Sequence, residues 1–198
     1  MYLNDALNLV VPVRTDDDGN LLVCAYHTPI SRETFEANYR ILAASKAALS
    51  AKGVMYQMEA GPRIACMLLK DEGKRDAADR GDVDDEGHPK DGGASALLTE
   101  FKRLTMIVAP GSEPLPVDAA IAQRVLDVEE WQDALSAITF FTCHYVLARK
   151  SERRRIVDAV ASLLNASITS SPLTEYASSL QTSTKGVASP KPTSSVPS

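Results

Sequence analysis

The sequence predicts a mainly α-helical fold, a small helical domain with an N-terminal β-hairpin. Three observations carry this. Apolar and polar residues alternate from Leu7 to Val13, ahead of a turn signal at Asp18-Gly19. Apolar side chains then recur at helical spacing over much of the chain that follows. Two stretches depart from both patterns by composition, an acidic one at 71–93 and a Ser/Thr/Pro-rich one at 166–198. The predicted organisation is one globular domain over 1–165, with a β-hairpin at 7–27, a helical part at 32–165 and a mobile acidic loop at 71–93. A disordered tail over 166–198 follows it.

In the hairpin, Leu7, Leu9, Val11 and Val13 share one face, which is the period of a half-buried strand. Pro12 cannot donate to a ladder, so this strand is expected at a sheet edge. Leu21 to His27 is the partner strand. A lone hairpin is marginal in water and must pack on something; the next helix is the nearest candidate. That helix has its start written into the sequence. Ser31 suits an N-cap, Ile30 and Phe35 stand where a hydrophobic staple closes, and Glu33 lies near the positive end of the dipole. Phe35, Tyr39, Leu42 and Leu49 line one side, and Gly53 suits the stop.

Val54 to Met58 fits strand or helix equally. Gly61-Pro62 breaks the chain, and Arg63 to Lys70 reads as a short buried helix. From Asp71 to Gly93 there are nine acidic and four basic side chains, so this segment alone carries a charge of −5. With almost no large apolar residue it has little to offset its ordering entropy. Ala94 to Val108 resumes a helical pattern through Leu97, Leu98, Phe101 and Leu104. Prolines 110, 114 and 116 mark a connector, and Asp118 suits the N-cap of a short helix through Leu126. Asp127 and Glu130 have capping-box spacing ahead of a long helix whose apolar side carries Trp131, Leu135, Ile138, Phe141 and Tyr145. A basic run, Arg149 to Arg155, precedes a last helical segment through Leu164. In 166–198, 15 of 33 residues are Ser or Thr and four are Pro.

The chain has 198 residues, 44% hydrophobic and 24% charged, with a net charge of −5. These values suit a soluble domain with a real core and argue against nucleic acid as a partner, which needs a basic footprint. No apolar run reaches the roughly 18 residues of a membrane span, and Met1 to Ala6 do not resemble a signal peptide. Cys24, Cys66 and Cys143 are odd in number and far apart, which suits a reducing cytoplasm rather than a disulfide framework.

No constellation here carries enzyme chemistry, a metal or a cofactor. Asp82-Val83-Asp84-Asp85-Glu86-Gly87 resembles the opening of a calcium loop, but the closing glutamate position holds Gly93. Cys143 and His144 are neighbours on a helix and point about 100° apart. His27, His88 and His144 fall in a strand, a polar loop and a helix, with no ligand pair at metal spacing. The basic run lacks the interleaved aromatics of single-strand binders and reads as a solvated face, pairing with the acidic loop. The Trp131–Phe141–Tyr145 side reads as core rather than as a groove for a partner helix.

Several strings resemble the tail assembly chaperones of long-tailed bacteriophages. They are Leu7-Asn8-Leu9-Val10-Val11-Pro12-Val13, Thr28-Pro29-Ile30-Ser31-Arg32-Glu33-Thr34-Phe35, Ala60-Gly61-Pro62-Arg63, Leu115-Pro116-Val117-Asp118, Phe140-Phe141-Thr142-Cys143 and Thr174-Glu175-Tyr176-Ala177-Ser178-Ser179-Leu180. The resemblance implies a non-enzymatic protein of the host cytoplasm that coats the tape-measure protein and keeps it soluble for tail-tube polymerisation. It also implies many copies on the client, and a frameshifted extension recruiting the tail-tube protein, to which the Ser/Thr/Pro tail would be a linker. It implies no cofactor, no nucleic acid and no membrane. The alternative expectation is a minor tail or connector protein retained in the virion. The exposed side of the first helix, including Asn38, Lys46 and Lys52, is the expected oligomer contact.

Overall fold

The structure, a computed structural model, describes residues 7–183. Residues 1–6, read above for a targeting signal, and 184–198 of the expected tail lie outside the described residues. The hairpin forms as β1 (Asn8–Thr15) and β2 (Leu21–His27), antiparallel, with Leu9 opposite His27 and Val11 opposite Ala25. Asp16 shapes its turn, its carboxylate accepting from the backbone N–H groups of Asp18 and Asn20.

The fold is not mainly α with a hairpin. Among the described residues helix makes up 56% and strand 15%, and the hairpin is the centre of a five-stranded antiparallel sheet. The strand order is β4-β3-β2-β1-β5, with β3 Thr105–Val108, β4 Leu115–Pro116 and β5 Ser167–Thr169. β1 is therefore not an edge strand. Its pairing with β5 stops at Val10, so Pro12 lies beyond that partner and beside an irregularity in the β1–β2 register. The proline's missing donor is tolerated for this local reason.

Both faces of the sheet are covered. Leu9, Val11, Val23, Ala25 and Ile107 face the main core. Val10, Cys24, Tyr26 and Val108 face the other way, onto a helix from the expected tail, α8 (Leu173–Ser183 in the chain). Leu173, Tyr176, Ala177 and Leu180 pack there, at the i, i+3, i+4, i+7 spacing of one helix face. The tail is thus ordered through β5 and α8. Tyr26 Oη donates to the Ser171 carbonyl at 2.5 Å, and the Tyr26 and Tyr176 rings lie 5.5 Å apart.

On the main face the helices are α1 (Arg32–Ala51), α2 (Val54–Glu59), α3 (Gly61–Asp79), α4 (Ala94–Arg103), α5 (Val117–Ala122), α6 (Val128–Tyr145) and α7 (Arg153–Leu163). α6 lies against β1, with α1, α3, α4 and α7 around it. Every residue from Ser136 to Tyr145 is buried, as expected of a helix apolar all round. Its N-terminus is the predicted capping box: Glu130 N–H donates to Asp127 Oδ1 at 2.7 Å, and Asp127 N–H donates to Glu130 Oε2 at 3.0 Å. Arg14 of β1 donates twice to the same Glu130 carboxylate, tying strand to helix. Asp127→Ala is expected to cost about 1 kcal/mol in urea unfolding; an unchanged midpoint would contradict it.

Ser31 caps α1 as predicted, accepting from Thr34 N–H at 3.1 Å. The buried face of α1 is Ile41, Leu42, Ser45 and Leu49, and Tyr39 stands 54% exposed. The expected helix over Ala94 to Val108 splits: α4 ends at Arg103 and the chain pairs with β2 as β3.

The acidic segment is not a mobile insert. Asp71 to Asp79 continue α3, and residues 80–93 are a tight hairpin-like connection. Asp84 N–H donates to the His88 carbonyl and Lys90 N–H to that of Asp82, while Asp84 Oδ1 accepts from the N–H groups of Glu86 and His88. Local backbone bonds and close glycine contacts order it in place of a hydrophobic core.

Candidate functional site

The residues with possible chemistry are scattered and put to structural use. The Cys143 thiol is fully buried and pushed up to about 12 by burial, and burial pushes Cys24 up to about 11. Neither is a thiolate near neutral pH, so neither is an activated nucleophile. His144 donates from Nδ1 to the Phe140 carbonyl at 2.8 Å, one turn back on α6. A carbonyl can only accept, so Nδ1 carries the proton and Nε2 accepts from Gln57 Nε2 at 2.6 Å. His144 therefore fastens α2 to α6 and does not face Cys143. His27 is buried against Phe101 and Thr105, and His88 lies beside Asp84 and Glu86 on the surface. Among the described residues, no three His, Cys, Asp or Glu side chains are grouped to hold a metal.

The charged segments do not meet as expected. The acidic stretch pairs within itself, Asp76 with Arg80, Glu72 with Arg75 and Asp82 with Lys90, and with α1 through Asp76 and Arg40. In the basic run, Arg154 pairs with Asp158 within α7, and the Arg153 guanidinium lies 5.0 Å over the Tyr145 ring. Trp131, Phe141 and Tyr145 belong to the core, with Tyr145 stacked on Phe141 at 5.2 Å. Of the expected oligomer contact, Asn38 is turned onto its own helix, donating to the Thr34 carbonyl, while Lys52 lies over the Tyr56 ring.

Two features do stand out. The first is α2, none of whose residues is buried. Val54 is 70% exposed, Met55 67% and Met58 46%, and Met67 on the adjoining α3 is 66% exposed. The α2 sequence fits strand or helix equally. Its signal was four large apolar residues in five positions, isolated between Gly53 and Gly61-Pro62, too short to show a buried period.

The second is a cavity of about 730 Å³ between the start of α1 and the end of α6, lined by Ile30, Phe35, Tyr145 and Val146 with Arg32 and Arg153. Its parts lie more than 100 positions apart in the chain, and no local motif announces them. No helix among the described residues is long and apolar enough to cross a membrane. No protein family, curated protein or solved structure matches the chain.

Proposed function

We propose that this protein is a non-enzymatic assembly chaperone that binds a phage tape-measure protein in the host cytoplasm and holds it soluble until tail-tube subunits polymerise. Beyond the sequence resemblance, one observation carries the reading: the exposed apolar surface of α2 with Met67. A long helical client presents apolar stripes that such a surface can cover. Methionine is unbranched and polarisable, so it adapts to a client whose sequence varies along its length. One copy covers a short stretch, so many copies act together. The net charge of −5 helps keep the coated client soluble.

Co-expression with the tape-measure protein tests this. The expected result is a soluble complex holding several copies of the chaperone. Met55→Glu with Met58→Glu should leave the fold intact, because neither side chain is buried, and should abolish the complex. A client that stays insoluble, with nothing co-purifying, overturns the proposal. Purified virions should lack the protein by mass spectrometry; its retention there would indicate a minor tail or connector subunit instead.

A further inference from the structure

We infer that the cavity between α1 and α6–α7 is a binding site for a monocarboxylate carried on an apolar body. The inference is independent of the chaperone reading. It starts from Arg153. The Nε of this side chain is buried and has no hydrogen-bond partner. An unsatisfied buried donor costs about 1–3 kcal/mol, and no protein group among the described residues compensates this guanidinium at its Nε. Arg153 also has no carboxylate partner among the described residues, whereas its neighbour Arg154 is paired with Asp158. Its guanidinium carbon lies 5.0 Å over the centre of the Tyr145 ring, and that ring is itself stacked on Phe141. A guanidinium placed this way keeps its N–H donors in its own plane, ready for the two oxygens of a carboxylate.

The surroundings set the charge and shape of the ligand. Arg32, the other cation of the cavity, is neutralised by Glu36 at 2.7 Å. One positive charge is therefore uncompensated, which matches a monoanion and not a doubly charged phosphate. The first turn of α1 opens on the same cavity through Ser31 and Arg32, and its dipole favours an anion as well. Apart from Thr28 and the Glu36 carboxylate paired with Arg32, the remaining wall is apolar: Pro29, Ile30, Phe35 and Val146. A volume of about 730 Å³ accepts a short acyl chain or the last residue of a peptide.

The test uses the full chain and four probes followed by NMR titration: hexanoate, N-acetyl-leucine, N-acetyl-leucinamide and inorganic phosphate. Saturable binding of either carboxylate is expected, with the uncharged amide at least ten-fold weaker than its parent acid. The tighter of the two acids tells a free acid from a peptide C-terminus. Arg153→Met keeps the stem and removes the charge, so it should reduce acid binding to the amide level; an unchanged melting curve shows that the variant is folded. Equal binding of acid and amide, phosphate binding tighter than both acids, or no saturation up to about 10 mM would each overturn the inference.

Discussion

Stability is expected to fall as pH drops from about 6.5 toward 4, and His27→Gln is expected to remove most of that fall. His27 is completely buried on β2, opposite Thr105 of β3. Thr105 Oγ1 donates its single proton to the Phe101 carbonyl at 2.7 Å, so it can only accept from His27 Nδ1 at 2.9 Å. Nδ1 is then the protonated nitrogen, and Nε2 is left buried without a partner. Charging the ring would place a cation in the core, and burial lowers its pKa from 6.5 to about 3, against smaller opposing pulls from the Phe101 carbonyl and Glu100.

The unfolded chain therefore binds this proton before the folded one does. The stabilisation is present above the unfolded pKa and is lost as pH falls through the interval down to about 3. At about 1.4 kcal/mol per pKa unit, the full loss is on the order of 5 kcal/mol. Burial lowers the His144 pKa as well, so it adds in the same direction. The carboxylates whose pKa is lowered, such as Asp91 and Glu100, lose their contribution only at more acid pH. Urea midpoints at pH 7.0, 6.0, 5.0 and 4.5 separate these effects. Glutamine at position 27 cannot charge, so its midpoint should be lower at neutral pH but nearly flat across the interval. Parallel curves for the two proteins would refute the assignment to His27.

What the sequence made legible was local. Caps are recognised by one side chain and the backbone three residues on, and both Ser31 and Asp127 cap where their spacing placed them. The hairpin was likewise legible because two adjacent strands share a turn. The other three strands were not. β3 is four residues following directly on α4, and its apolar run extends the helical period without a break. β4 and β5 are two and three residues long, below any periodic signal. α8 was hidden by its polar residues: Thr174, Ser178 and Ser179 are exposed while Leu173, Tyr176, Ala177 and Leu180 pack inward.

The strings that carry the chaperone resemblance fall mostly on scaffold. Leu9 and Val11 are core strand, Ser31 is a cap, Phe140 to Cys143 are central helix, and Tyr176 and Ala177 cover the sheet. They speak to how the chain folds. Of the candidate surfaces, α2 lies outside them, while the Arg153 cavity takes one wall from the Thr28–Phe35 string and is completed by Tyr145, Val146 and Arg153 from more than 100 positions away, a meeting that no local pattern shows.

The acidic connection shows how a segment without apolar side chains can still be ordered, and Gly73→Ala is the substitution that tests it. Gly73 sits inside α3, where alanine is ordinarily better by about 1 kcal/mol. A Cβ at this position, however, would be driven into the Asp91 carbonyl oxygen and would stand 2.9 Å from the Ala94 Cβ. Gly92 approaches from the other side at φ +58°, with room for a Cβ blocked by the Gly73 carbonyl. Two backbones are thus in direct contact, and neither obstacle is a flexible side-chain end that can swing away. The same contact positions Asp91, whose carboxylate accepts from the N–H groups of Gly93 and Ser95 at 3.1 Å and so holds the start of α4. Overpacking of this kind costs about 1–3 kcal/mol and more when backbone must move, enough to outweigh the propensity gain. Gly73→Ala should therefore lower stability by about 2 kcal/mol in urea unfolding, with Gly73→Val worse. Amide exchange should accelerate first at 91–95, because that connection gives way before the core does. Alanine at the exposed glycine 87 meets no neighbouring atom and strains only its own φ of +84°, so it should leave exchange at 91–95 unchanged. A stabilised Gly73→Ala variant with normal protection at 91–95 would show that propensity, and not the close approach of the two backbones, governs this position.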